Sequence, residues 1–161
     1  MKDNKNTGDI SLGKMKWLLF LLARFKIPMI GFVRPKLVEL NDETSEIRIK
    51  LRRKSKNHLN SMYFGALAVG ADVSAGIHVF YFSKKMKRPV SFAFKSMSAE
   101  FLKRAESDIT FTSNQGAVVE AAMKKSAETG ERINEPIDVI ATDNSGEAVA
   151  TFVLVVSVKV K

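Results

Sequence analysis

Asp72 is the one formally charged residue between Asn57 and Ser83. It lies in Gly65-Ala66-Leu67-Ala68-Val69-Gly70-Ala71-Asp72-Val73-Ser74-Ala75-Gly76, a run of apolar and small residues that reads as a buried helix. Moving an ionised carboxylate from water into such surroundings costs several kcal/mol unless it is paired. Net domain stability is only about 5–15 kcal/mol, so a carboxylate kept there serves either a satisfied structural role or chemistry. The chemistry open to it is that of a general base or a nucleophile. Gly65 stands seven residues upstream, near the start of the same helix. A helix N-terminus offers unpaired N–H groups and a positive dipole end that can polarise a carbonyl, and glycine lets a substrate approach that backbone closely. Seven helical residues span about 10 Å along the axis, too far for one carbonyl to meet both groups within one chain.

The elements that must position these residues follow from periodicity. Residues 1–13 are polar towards their start and read as a frayed N-terminus, with a single domain over 14–161. Lys14–Phe25 reads as a helix stopping before Pro28. Leu37–Leu40 and the alternating Ile47, Ile49 and Leu51 form a hairpin across Asn41-Asp42-Glu43. The long helix, entered through Asn57-His58-Leu59-Asn60-Ser61 with Asn60 or Ser61 as N-cap, covers roughly 61–82. Val90 to Phe101 is a strand, with Phe92, Phe94 and Phe101 at core positions. Asp108–Ser113 is a strand, Ala117–Thr129 a helix ending at Gly130, and Ile137–Thr142 a strand turning at Asp143-Asn144-Ser145-Gly146. Ala148–Val160 is apolar on both faces and belongs centrally in the sheet. The expected fold class is α+β, an antiparallel sheet of five or six strands around one dominant helix.

Several chemistries are set aside. There is no Gly-x-Ser-x-Gly elbow, no phosphate-cradling Gly-rich loop ending in Lys-Ser/Thr, and no dinucleotide fingerprint. The 161 residues contain no cysteine, which excludes disulfides, thiolate metal sites and a Cys nucleophile and fits a reducing, cytoplasmic compartment. The only histidines, His58 and His78, are too far apart for a recognised ligand pair, so no metal site is expected. Trp17-Leu18-Leu19-Phe20-Leu21-Leu22-Ala23 is far shorter than the roughly 20 residues that span a bilayer, and reads as a helix packed on the core or lying on a membrane surface. Leu59–Phe82 is long enough to span, but Asp72 near its centre and Gly65, Gly70 and Gly76 argue for a packed helix, so no stable membrane span is expected.

Asn57-His58-Leu59-Asn60-Ser61-Met62-Tyr63-Phe64-Gly65, with Asp72 seven residues later, resembles the motif of hotdog-fold acyl-CoA thioesterases of the phenylacetyl-CoA type. That motif is Asn-x-x-Gly-x-x-His-Gly-Gly, followed by an acid on the central helix seven residues beyond the last Gly. Asn57, Gly65 and Asp72 fall on matching positions. Asn60, Tyr63 and Phe64 replace the first Gly, the His and the penultimate Gly. The wording of the segment is closest to an uncharacterised branch of the superfamily whose members often begin with an apolar helix, and the resemblance covers about 36–161.

The resemblance implies a curved hotdog sheet wrapped around the long helix and a homodimer or homotetramer in which one subunit's helix end faces the acid of another. It implies a hydrolase acting on an acyl-CoA, with no resident cofactor and coenzyme A entering as part of the substrate. Asp72 would be base or nucleophile, Gly65 N–H the oxyanion donor, and Asn57 the orienting group; Asn57 read alone is equally a turn or capping residue. Tyr63, Phe64 and Asn60 would line the substrate site. The substituted positions also suit a non-catalytic acyl-CoA or lipid-binding module.

Lys+Arg total 26 against 17 Asp+Glu, a net charge of +9 that attracts polyanions. Basic clusters, Arg52 to Lys56 and Lys84 to Arg88, bracket the helix. They are either solvated ends or, at Lys84, Lys85 and Lys87 above all, contacts for the phosphates of coenzyme A. Nucleic acid is not the expected partner, because the phenylalanines read as core rather than as an exposed stacking platform.

Overall fold

The apolar run carrying Asp72 folds as one 23-residue helix, α3 (Phe64–Met86), in this computed structural model, which describes residues 10–161. Alanines and leucine favour it, and it ends where Lys87 turns left-handed (φ 53°) two residues before Pro89, which cannot continue a helix. It is long and apolar enough to cross a bilayer, yet 67% of that stretch is buried inside the protein, which is how a core helix behaves.

Six antiparallel strands wrap it as the curved sheet of the hotdog fold, with β1 (Lys36–Leu40), β2 (Ser45–Ile49), β3 (Val90–Phe101), β4 (Ile109–Ser113), β5 (Ile133–Thr142) and β6 (Ala148–Val160) in the spatial order β1-β2-β4-β5-β6-β3. Alternate residues of the strands, among them Ile47, Ile49, Ile109, Phe111, Val139, Phe152 and Leu154, are fully buried in the core. Two serines stitch this core without leaving a polar orphan between them. Ser45 Oγ donates to the Ser74 carbonyl at 2.7 Å, and Ser74 Oγ donates to the Phe111 carbonyl at 3.3 Å. Helix α4 (Gly116–Thr129) closes on Gly130 at φ 72°, where glycine carries no steric penalty.

The structure departs from the sequence expectations at several places. Residues 1–9 of the expected frayed terminus lie outside the described residues. α1 (Leu12–Leu21) starts before Lys14, because Ser11 caps it by accepting the Lys14 N–H. It runs into a π-helical turn (Leu22–Lys26), and Pro28 opens a further helix, α2 (Pro28–Val33), at the first position, where its missing N–H is no loss. Neither Asn60 nor Ser61 caps α3: Asn60 sits in a left-handed conformation (φ 61°), Ser61 is held by Asn57, and Tyr63 is the N-cap. α3 runs four residues past Phe82, so Lys84 and Lys85 form its last turn. β6 lies second from the sheet edge rather than centrally, but β5 and β3 flank it on both sides, which explains its apolar sequence. Phe101 is not a core residue; it is 52% exposed on the edge strand β3.

Gly70 marks the closest approach of helix and sheet, since a Cβ there would collide with the fully buried ring of Phe111. Gly70→Ala should therefore destabilise the fold by roughly 1–3 kcal/mol despite alanine's better helix propensity. Chemical denaturation of the variant checks this; an unchanged midpoint would show that Phe111 can move aside.

Candidate functional site

The approach to α3 is organised by Asn57. Its Oδ1 accepts from the Leu59 N–H at 2.9 Å and the Ser61 N–H at 3.2 Å, and its Nδ2 donates to Ser61 Oγ at 3.0 Å. Its own N–H donates to the Ser61 carbonyl at 2.8 Å. Both ends of the carboxamide are thus engaged inside the 57–61 turn, and Asn60 tolerates its left-handed backbone there as asparagine does. The loop is fastened by Tyr63 N–H to the Ser55 carbonyl (2.8 Å) and Met62 N–H to the Ala105 carbonyl (2.7 Å).

α3 then begins without a side-chain cap. Among the described residues, the N–H groups of Phe64 and Gly65 have no acceptor, which leaves two donors at the positive end of the helix dipole. The Tyr63 ring lies so close over Gly65 that a Cβ there would sit 2.5 Å from Tyr63 Cε1, so Gly65 is also the seat of that ring. Tyr63, Phe64 and Phe101 form an exposed aromatic chain with centroid separations of 4.8 and 6.3 Å, leading inward to the buried Phe152.

Asp72 follows two turns later. Gly65, Ala68, Val69 and Asp72 are half-buried where the flanking helix positions are buried, and their spacing places them on one stripe. That stripe is the opening in the wrap around the N-terminal half of α3. Among the described residues the Asp72 carboxylate has no hydrogen-bond or ion-pair partner, and burial pushes its pKa up to about 6. Within one chain the structure aligns Asp72 and the free N–H groups on one face but leaves them about 10 Å apart along the axis.

The lysines at the other end of α3 are separate from this stripe. Lys85 is held by Asp42, with Nζ–Oδ2 at 2.6 Å, and Tyr81 donates to Asp42 Oδ1 at 2.7 Å. The Lys85 hydrogen bond, then that of Tyr81, holds the Asp42 carboxyl below its usual range. Lys84 and Lys87 are exposed, and Lys87 is the C-cap. The basic residues near the helix entry are Arg53, Lys54 and Lys56, all exposed. His78 is buried, with Nε2 3.0 Å from the Asn41 carbonyl and, among the described residues, no partner for Nδ1, and burial lowers its pKa. A groove of about 930 Å³ lies against α1 and α2, lined by Leu19, Phe20 and Arg24 among others, and takes in none of the stripe.

The family model described as "Domain of unknown function (DUF4442)" matches residues 15–158. The chain belongs to this family. It is similar in structure to PA5026 from Pseudomonas aeruginosa, described as a probable thioesterase, with 21% identity and a TM-score of 0.73 over 90% of this chain and 95% of that one. A protein from Shewanella oneidensis, provisionally described as a thioesterase, aligns at 11% identity and TM-score 0.79 over 92% and 99%. The thioesterase HI1161 from Haemophilus influenzae aligns at 8% identity and TM-score 0.66 over 94% and 92%. No curated protein matches. These likenesses establish the hotdog fold that the motif resemblance implied.

Two features escaped sequence reasoning. The open stripe through Ala68 and Val69 has the spacing i, i+3, i+4, i+7, but in a helix apolar all round nothing in the residue types distinguishes it. The free N–H of Phe64 depends on where the helix starts, which the misplaced cap obscured.

The raised pKa of Asp72 has a stability consequence. The folded state holds the proton more tightly than the unfolded chain, so this stability is present below about pH 4 and lost as pH rises through about 6. Asp72→Asn should raise stability by roughly 2–3 kcal/mol at pH 8 and by little at pH 4. Melts of both proteins at the two pH values check it; His78 titrates with the opposite sign but cancels in the comparison. Equal gains at both pH values would show that the carboxylate is not desolvated.

Proposed function

We propose that this chain hydrolyses acyl-CoA thioesters, in the cytoplasm, at a site completed by two copies of itself. The observation that carries the reading is the half-buried carboxylate of Asp72, without a partner among the described residues, on the same face of α3 as two helix N–H groups that also lack one there. An isolated carboxylate is costly there, whereas one facing a second chain's helix end would gain a positive dipole end and a polarised carbonyl as neighbours. β3 provides a route to pairing: it is a 12-residue strand at the end of the sheet, with no strand on its outer edge among the described residues.

In the resulting site the Phe64 and Gly65 N–H groups of one copy hold the thioester oxygen. Asp72 of the other copy takes a proton from water, whose oxygen adds to the carbonyl carbon. The carbon–sulfur bond then breaks, the proton held by Asp72 passes to the sulfur, and coenzyme A leaves as its thiol. Direct attack by the carboxylate, giving an anhydride that water opens, uses the same groups. Tyr63, Phe64 and Phe101 form the apolar wall for the acyl chain. The thioesterase descriptions of the structural neighbours support this reading at the level of shared fold.

A non-catalytic acyl-CoA or lipid-binding module is the second reading. It is favoured by Asn57, whose carboxamide is engaged in its own turn, and by Tyr63 at the His position of the thioesterase motif that the segment resembles.

Asp72→Asn should lower kcat by roughly 10²–10⁴ while leaving a folded dimer, and wild-type kcat should fall on acidification as the base is protonated, at a pH that burial raises and the second chain's helix end lowers. With no cysteine in the chain, a thiol-trapping assay reads released coenzyme A alone. Sedimentation at micromolar concentration tests the pairing; a monomer that turns over, or a fully active Asp72→Asn, would sink the two-chain site. Tight acyl-CoA binding without turnover would select the binding module.

The phosphates of coenzyme A are assigned to the exposed lysines. Replacing Lys84 and Lys87 with Gln should raise KM for acyl-CoA and weaken its salt dependence with little change in kcat. Lys85 is the informative contrast, because its loss also removes the Asp42 pair. Should Arg53→Gln with Lys56→Gln raise KM instead, the phosphates lie at the helix entry.

A further inference from the structure

The helical segment before the sheet carries a surface that the proposed reaction does not use. Trp17, Phe20, Phe25, Ile27, Met29 and Phe32 are all exposed, Trp17 to 60% and Phe25 to 66%. The opposite face of the same helices, through Met15, Leu19, Ile30 and Val33, is buried in the core. The segment is therefore anchored to the domain on one side and apolar on its outer side as well, beyond the isolated exposed hydrophobics a surface normally shows.

Charge accompanies the apolar surface. Residues 10–38 contain Lys14, Lys16, Arg24, Lys26, Arg34 and Lys36 and no carboxylate. Among the described residues none of these six cations has an ion-pair partner. Arg24 lies over the Phe25 ring at 5.3 Å, and Lys54 lies over the Phe32 ring at 5.4 Å, which interleaves cations with the aromatic surface. The groove of about 930 Å³ beneath has Leu19, Phe20 and Leu37 in its wall and Lys16, Arg24, Arg34, Lys36 and Arg52 around it.

We propose that the face formed by α1, the π-helical turn and α2 docks on the surface of an anionic lipid bilayer. Aromatic and aliphatic side chains reach the boundary between headgroups and acyl chains, while lysines and arginines pair with lipid phosphates. A second copy of this chain fits the face poorly, because an isologous contact sets the six unneutralised cations against their own equivalents. Single-stranded nucleic acid would use the cations and rings but would leave Ile27 and Met29 without a role. The anionic bilayer matches both properties of the face.

Trp17 is the only tryptophan in the chain, so its emission reads this face directly. Flotation and fluorescence would be measured with vesicles of phosphatidylcholine alone and of phosphatidylcholine with about one-third phosphatidylglycerol, at low and high salt. The protein should float with the anionic vesicles at low salt, with a blue shift of Trp17 emission, and should stay in solution with phosphatidylcholine alone. Phe20→Ser with Phe25→Ser, and separately Lys16→Glu with Arg24→Glu, should each weaken partition by about tenfold or more. These side chains are exposed, and wild-type melting temperatures would confirm that the variants fold. Equal partition to both vesicle types, no partition to either, or insensitivity to both variant pairs would overturn the proposal. So would Trp17 emission already blue in buffer and unmoved by vesicles, which would show a second copy covering the face. Saturable binding of monomeric lysophosphatidylglycerol without vesicle partition would overturn it in favour of a single-lipid groove.

Discussion

A helix wrapped on nearly every side can keep an unpaired carboxylate only where the wrap is open. α3 meets the sheet so closely that Gly70 has no room for a methyl group against Phe111, and its other buried polar groups, Ser74 and His78, are tied to backbone carbonyls. Asp72 falls on the one half-buried stripe of the N-terminal half of the helix, beside positions held by glycine, alanine and valine. The small size of these neighbours keeps the stripe open, and the desolvation it still imposes moves the carboxyl towards neutrality. Geometry and titration at this residue thus share one cause, the depth of the helix in its wrap.

The two ends of α3 are finished differently for the same electrostatic reason. At its start the dipole leaves the Phe64 and Gly65 N–H groups without a capping side chain. At its finish Lys84 and Lys85 stand in the last turn, where cations offset the negative end. A helix compensated at one terminus and open at the other presents its unsatisfied donors at a single place. Tyr63 takes part in that arrangement by laying its ring over Gly65, which leaves the backbone donors bounded by an aromatic wall.

Much of this was legible in residue types. Alternation in Ile47 and Ile49, the turn at Asp143 to Gly146, and the glycine after Thr129 encode local geometry through steric rules that hold without tertiary context, although the strand stops at Ile49, short of Leu51. The lone acid in an apolar run pointed to Asp72 because burying charge is costly in any fold. The start of α3 was not legible: Asn60 and Ser61 are good capping types, and only the hydrogen bonds of Asn57 showed that both serve a separate turn. Phe101 looked like core because alternation cannot say whether a strand lies at an edge. α2 was hidden by Pro28, a residue that stops one helix and starts another with equal ease. The pairing of Lys85 with Asp42, 43 residues away, has no local signature at all.

The turn between β1 and β2 has a mechanical meaning. His78 meets the Asn41 carbonyl, Lys85 and Tyr81 grip Asp42, the Gly116 N–H donates to the Glu43 carbonyl, and Thr44 reaches Asn114. Four consecutive residues thereby rivet the rear half of α3 to the hairpin and to the start of α4. The front half carries the stripe and is fastened differently, by the Ser45–Ser74–Phe111 hydrogen bonds and by the backbone bonds of Met62 and Tyr63 just before the helix. Such a helix is a beam held at both ends, by polar side chains at the rear and by backbone bonds at the front. The rear anchorage draws on the β1–β2 turn and the front one on the loop at Ala105, so each end of the helix takes its position from a different part of the chain.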